Sequence, residues 1–268
     1  MDVYWFEQCE SDVPADDDWL SPGEQERLVG LRFPKRRSDW RLGRWTAKLA
    51  VAAHLKLPSD RITLRNIEVR PLSSGAPEVQ LGGERSGVTI SLSHRAGVAA
   101  CALTPANVAL GCDLEFIEPR TQAFVSDYFT AEEQSILESA NCDSNRSATV
   151  ALLWSAKESA LKALGVGLRA DTRSVKVNLA HTLVQHEAQD VSSTPQAGPT
   201  GFADCNSGWV PLQVSHEAGD QVFHGWWSQD SRFVRTVLLN QPNAAPIPIL
   251  GLTELAHGLK FLHRENRH

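Results

Sequence analysis

An internal repeat of 109 residues constrains this chain more than any other feature of its sequence. Leu20-Ser21-Pro22-Gly23-Glu24-Gln25, followed by Leu28, returns as Phe129-Thr130-Ala131-Glu132-Glu133-Gln134, followed by Leu137. Trp45-Thr46-Ala47-Lys48 returns as Trp154-Ser155-Ala156-Lys157 at the same offset of 109. Two matches in one register point to a duplicated unit. In each copy a Ser or Thr precedes a Glu by three residues, the pattern of a capping box at a helix start. Strand patterns surround both helical stretches, so the expected fold class is α+β, a pseudodimer of two similar α+β subdomains. Residues 1–106 form the first subdomain, residues 107–240 the second, and residues 241–268 a C-terminal extension. With 268 residues and 42% apolar content the chain can bury such a core without disulfides.

Local patterns fill in the elements. Val3 to Phe6, Ile62 to Arg70, Val79 to Leu81 and Leu110 to Phe116 read as strands, and Val88 to His94 with Val98 to Leu103 as a hairpin carrying Ser93 and His94 at its tip. Helices are expected from Ser21 through Leu28, from Lys35 to Leu57, from Thr130 to about Ala140, and through Trp154 to Lys162 after a polar loop, Asn141 to Ser147. Gly165 would end the last of these. Trp209 to Val214, Val222 to Ser228 and Phe233 to Leu239 read as further strands. His186 to Gly208 reads as a loop, Pro242 to Pro248 as an extended linker, and Ile249 to His268 as a terminal helix.

The copies differ where charge is concerned. Arg37, Arg41, Arg44 and Lys48 form a basic stripe beside the apolar stripe of Leu42, Trp45, Leu49 and Ala52, with no acidic partner along it. In a chain of net charge −6 such a stripe favours a local anion site, with a nucleic-acid surface as its rival. Asp113 and Glu115 alternate with Cys112, Leu114 and Phe116, so the two carboxylates share one face of a strand, where they repel unless a cation lies between them. Glu158 and Lys162 lie one helical turn apart. At the 109-residue offset Asp113 corresponds to Tyr4, Glu115 to Phe6 and Glu158 to Leu49, so the acids belong to the second copy alone. A ligand lying between the copies would need polyanionic and metal-binding parts, as a pyrophosphate with a further phosphate has.

Several classes fall away. The net charge argues against a general nucleic-acid binder that works by counterion release. Cys9, Cys101, Cys112, Cys142 and Cys205 are scattered, with no Cys-x-x-Cys pair, so neither a zinc site nor a disulfide framework is expected. The N-terminus has no basic and then apolar run, and no stretch reaches the roughly 18 apolar residues of a membrane span. A cytoplasmic location is the expectation.

Ser91-Leu92-Ser93-His94, Gly111-Cys112-Asp113-Leu114-Glu115 and Trp154-Ser155-Ala156-Lys157-Glu158-Ser159-Ala160-Leu161-Lys162, in that order, resemble the 4′-phosphopantetheinyl transferases of the two-domain, surfactin-synthetase-activating type. Arg36, Arg37, Gly43 and Arg44 resemble that family's N-terminal basic segment. The resemblance implies a pseudodimeric fold, coenzyme A as donor, Mg²⁺ as cofactor, and a serine of an apo acyl or peptidyl carrier protein as acceptor, with 3′,5′-ADP released. It implies a monomer working in secondary metabolism, without nucleic acid or membrane as partner. Asp113, Glu115 and Glu158 would be the metal carboxylates, with Glu158, Lys162 and Asp113 catalytic. Lys157 and Lys162 would neutralise phosphate oxygens, Ser93 and His94 would touch the nucleotide phosphates, and Arg36, Arg37, Arg44 and Lys48 would bind the far end of the nucleotide. One departure stands out: the family's Gly-Lys-Pro turn reads Gly75-Ala76-Pro77 here, so its phosphate-contacting cation is missing. That loss motivates an alternative, a catalytically impaired module that binds coenzyme A or a nucleotide. A nucleic-acid surface built on the basic stripe would leave the three carboxylates without a role.

Overall fold

A computed structural model of the protein describes residues 2–105, 108–138, 143–178 and 208–248. The first half runs β1 (Tyr4–Cys9), α1 (Pro22–Val29), α2 (Pro34–His54), α3 (Arg61–Asn66), β2 (Ile67–Pro71), β3 (Pro77–Leu81), β4 (Glu84–Arg95) and β5 (Val98–Pro105). The second runs β6 (Leu110–Phe116), α4 (Gln122–Tyr128), α5 (Ala131–Glu138), α6 (Asp143–Ala163), β7 (Val175–Asn178), β8 (Val210–His216), β9 (Gln221–Gln229) and β10 (Phe233–Leu239), and β11 (Ile247–Pro248) follows. The architecture is mixed α+β with two sheets, ordered β11-β1-β5-β4-β3-β2 and β6-β10-β9-β8-β7. Leaving β11 aside, the two orders are the same with every strand index raised by five. α1 and α5 are each 8 residues long, α2 and α6 each 21, and both pairs start 109 residues apart.

The capping boxes form as the sequence requires. Ser21 Oγ accepts from the Glu24 N–H at 3.2 Å while the Glu24 carboxylate accepts from the Ser21 N–H at 2.9 Å. Thr130 and Glu133 repeat the exchange at 3.3 and 2.9 Å. Each box satisfies N–H groups that a helix start leaves open.

Apolar faces assemble into one core beneath the helices of each half and a third between the sheets. The third holds Val3, Trp5, Ala100, Ala102, Leu110, Cys112, Leu114, Phe233, Val237 and Leu239. Strand β6 therefore turns Cys112 and Leu114 toward the first half and Asp113 and Glu115 toward α6. A buried apolar seam of this kind fixes two units against each other, unlike the more polar contacts that let domains move. Arg235 reinforces it, donating to Glu7 of β1 at 3.1 Å and to Asp230 at 2.9 Å.

Three sequence expectations change. Ile62 to Asn66 is helix rather than strand, because the Asp60 carboxylate caps that turn, accepting from the Thr63 N–H at 3.0 Å and the Thr63 hydroxyl at 2.9 Å. The polar run after Asn141 is not all loop: α6 begins at Asp143, and the polarity belongs to its first turns. The linker at Pro242 to Pro248 returns to the first sheet, where Tyr4 and Trp5 pair in parallel with Ile247 and Pro248. The loop expected from His186 and the helix expected from Ile249 lie outside the described residues, apart from Gly208.

Candidate active site at the seam

The site is set by how closely α6 lies on β6. A Cβ built on Gly111 would stand 1.7 Å from the Ser159 carbonyl oxygen and 2.8 Å from the Ala163 nitrogen, so only glycine permits this approach. Beside it the hydroxyls of Ser155 and Ser159 meet Thr236 Oγ1 of β10 at 2.8 and 2.7 Å, all three side chains being buried. These contacts fix the rotation of α6, and with it the direction of Glu158 and Lys162.

Asp113 is the hub. Its Oδ1 accepts from Lys162 Nζ at 2.8 Å and from Ser93 Oγ at 2.7 Å, while Oδ2 is buried without a hydrogen-bond partner. Lys162 also donates to the Cys112 carbonyl at 3.0 Å. Burial works against the Lys162 ammonium, but Asp113, Cys112 and Glu158 outweigh it and raise its pKa. Glu158 has its pKa raised by burial first and by Asp113 second, with Lys162 opposing. Glu115 is pushed up to about 7, by burial, then Asp113 and Glu158, against Arg95 and Arg120. Its carboxylate lies 3.2 Å from Arg120 Nη2 and 3.7 Å from Arg95 Nε. The structure thus brings together Asp113, Glu115, Glu158, Lys162 and Ser93, across both halves.

Three mutually repelling carboxylates and an orphaned oxygen are the hard-oxygen donor set that a divalent cation such as Mg²⁺ favours, and added positive charge would relieve the repulsion. They do not close as ligands here: among the described residues no three His, Cys, Asp or Glu side chains converge on one point. Glu115 is held toward Arg95 and Arg120 instead.

The cost of that arrangement is measurable. A carboxyl whose folded-state pKa is about 7 against an ordinary 4.5 holds its proton more tightly when folded. Its contribution to stability is present below about pH 4.5 and is lost as pH rises through about 7. In metal-free buffer at about pH 8, Glu115→Gln is expected to be more stable than the parent by at most roughly 3 kcal/mol, with the gain vanishing near pH 5. Thermal melts across that range check it, and a gain that grew toward acid pH would reverse the assignment.

On the first-half side, the hairpin of β4 and β5 turns at Ala96 and Gly97, both at positive φ (50° and 77°), which sets His94 just before the turn. His94 is exposed, and its pKa is lowered chiefly by the protein packed around it. It lines an open cleft of about 450 Å³ with Phe33, Lys35, Arg36, Asp39 and Trp40. Lys35 pairs with Asp39 at 2.9 Å, whereas Arg36 is exposed.

The rest of the basic stripe is committed elsewhere. Arg41 donates to Asp17 at 2.7 Å, and Arg37 to the Leu28 carbonyl at 2.7 Å. Arg44 lies over the Trp40 ring, 4.9 Å from its centre, with its Nε 3.9 Å from Glu24. Lys48 has a side chain 0% exposed and is paired with Glu24. Lys157 is likewise 0% exposed and pairs with Glu133 at 2.9 Å. The expectation that the stripe lacks acidic partners is therefore corrected: they come from segments before the helix. Lys48 and Lys157 lie in the interior and offer no face to a solvent-borne nucleotide, contrary to the roles the resemblance gave them. A capping-box Glu 24 residues before a Lys in both copies was the sequence signal for these pairs.

Sequence reasoning also missed Phe33, Lys35, Asp39 and Trp40 in the cleft, and Arg95 and Arg120 beside Glu115. Arg95 directly follows His94 and Arg120 lies five residues past Glu115, so nearness in sequence to those two residues was the only clue. At the altered turn, Arg169 of the second half donates to the Ser74 carbonyl at 3.0 Å, which brings a cation beside Gly75-Ala76-Pro77.

Two comparisons with known proteins give a match. The model of the 4′-phosphopantetheinyl transferase superfamily matches residues 109–199, a span that opens at β6 and includes Asp113, Glu115, Glu158 and Lys162. The chain is 26% identical over 192 residues to an L-aminoadipate-semialdehyde dehydrogenase-phosphopantetheinyl transferase of Xenopus laevis, covering 66% of this chain and 62% of that protein. The alignment thus spans less than two thirds of that relative's length.

Proposed function

We propose that this chain, whose residues 109–199 match the model of the 4′-phosphopantetheinyl transferase superfamily, moves the 4′-phosphopantetheine group of coenzyme A onto a serine of an apo acyl or peptidyl carrier protein. The observation that carries this reading is the seam where Asp113 holds Lys162 from α6 and Ser93 from β4 on one oxygen, with Glu115 and Glu158 close enough to shift in pKa through it.

In this reading the carrier serine Oγ attacks the phosphorus that bears the pantetheine arm. The new Oγ–P bond forms as the bond to the bridging oxygen breaks, and 3′,5′-ADP leaves. Glu158 takes the serine proton, directly or through a water. Lys162 turns an ammonium toward the charge that gathers on the leaving phosphate. Mg²⁺, when bound to Asp113, Glu115 and Glu158, would neutralise the pyrophosphate. Phe33 and Trp40 offer the nucleotide end an aromatic wall, with Arg36, Lys35 and His94 for its phosphates.

We read the matching sheet orders and capping boxes as a duplicated, pseudodimeric fold, which would complete the site within one chain and let a monomer work. No helix among the described residues is long and apolar enough to cross a membrane; a cytoplasmic location and a role in secondary metabolism belong to the proposal. The test is incubation with an apo carrier, coenzyme A and Mg²⁺, followed by mass spectrometry. One added phosphopantetheine on the carrier is the expected result, and no addition to any of several carriers would sink the reading.

A further inference from the structure

We infer that Lys157 is a positioning residue: through Glu133 it fixes the angle at which α6 presents Glu158 to Asp113, and it makes no contact with a phosphate. The inference rests on the proposed transfer reaction and names a device that serves it.

The same buried strut occurs twice. Glu24 closes the first capping box, accepts the Val69 N–H of β2 at 3.0 Å and pairs with Lys48. Glu133 closes the second, accepts the Val177 N–H of β7 at 3.2 Å and pairs with Lys157. Lys48 donates to the carbonyls of Trp19 and Leu64, and Lys157 to those of Thr172 and Val175. An ammonium has three N–H groups, and one carboxylate with two carbonyls uses them all. With its side chain 0% exposed, Lys157 has neither a free donor nor a path to a ligand.

What the strut does hold is α6. It ties the helix to α5 and to the start of β7, on a flank different from the one where Gly111 and Thr236 grip it. Glu158 is the next residue along, so any rotation that the strut prevents would swing Glu158 away from Asp113. In the first half the residue after Lys48 is Leu49, and no chemistry depends on it. The chain therefore contains its own control.

The test compares Glu24→Gln with Glu133→Gln in the full chain, each removing one charge from one strut. Both are expected to lower the thermal midpoint by similar amounts. Only Glu133→Gln should lower kcat, by about tenfold or more, with KM for coenzyme A within about twofold of wild type. The double variant Glu133→Leu/Lys157→Met fills the strut with apolar volume and should recover kcat to within about threefold, because a buried ion pair can be exchanged for well-packed hydrophobic groups. A phosphate contact predicts the opposite: unchanged kcat in Glu133→Gln, and a double variant whose affinity for coenzyme A, read by calorimetry, falls about tenfold or more. Either result overturns the inference, as would loss of cooperative unfolding in these variants, which would make the strut a folding element only. If the wild-type chain modifies no carrier, the proposed function fails, and the calorimetric comparison still decides whether Lys157 touches the ligand.

Discussion

Asp113→Asn should lower the turnover of the proposed phosphopantetheine transfer on the order of 10²- to 10³-fold, the scale seen when one preorganised electrostatic contact at a transition state is removed. The change is nearly isosteric, so its effect is one of charge. Asp113 is the acid that Lys162, Ser93 and, through space, Glu115 and Glu158 all sense. Without its charge Lys162 loses its ion-pair partner, and the site loses an oxygen donor that Mg²⁺ would use. Stability should suffer much less, because the Lys162 side chain is 26% exposed and can turn toward water. Steady-state assays with an apo carrier, alongside a thermal melt, separate the two effects. A folded variant that keeps more than about a tenth of the parent turnover would remove Asp113 from the reaction.

Gly111→Ala carries the second large effect, and it acts at a distance. The added methyl would stand 1.7 Å from a backbone oxygen of α6, which cannot rotate aside as a side chain could. The helix must move outward, and the Lys162 bond to Asp113 and the Thr236 contacts of Ser155 and Ser159 must stretch with it. Overpacking of this kind costs about 1–3 kcal/mol. In a chain of this size that is a fall of roughly 2–6 °C in Tm. Displacing a reacting group by about 1 Å can cost on the order of 10²-fold in rate, so turnover should fall by about that much even where the variant stays folded. Retained turnover together with an unchanged Tm would show that α6 is not seated on Gly111.

Much of this was legible in the sequence because it depends on short-range patterns. The capping boxes at Ser21 and Thr130, which form, the alternation that turns Asp113 and Glu115 to one face, and the helical spacing of Glu158 and Lys162 are all local. What could not be read was pairing across long separations. Lys48 looks like a free cation along α2, and only the fold reveals Glu24 behind it. The resemblance alone gives Lys157 a phosphate role, and a sequence does not say which side of a helix is closed. The strand expected at Ile62 lost to a single cap, Asp60, where a side chain's hydrogen bonds outweighed a β-branched run. The cleft around His94 is not legible because Phe33, just before the expected helix, and Trp40, within it, gain meaning only beside a hairpin tip some 60 positions away.

The short parallel pairing of Ile247 and Pro248 with β1 has a meaning beyond topology. An open sheet edge is a row of unpaired amides and carbonyls that a strand from another molecule can extend, and β1 would otherwise present one. By laying its own later segment there, and by placing at that edge a proline that has no N–H to offer in turn, the chain ends the ladder on itself. Over Tyr4 and Trp5 that edge is closed to strand addition by neighbours.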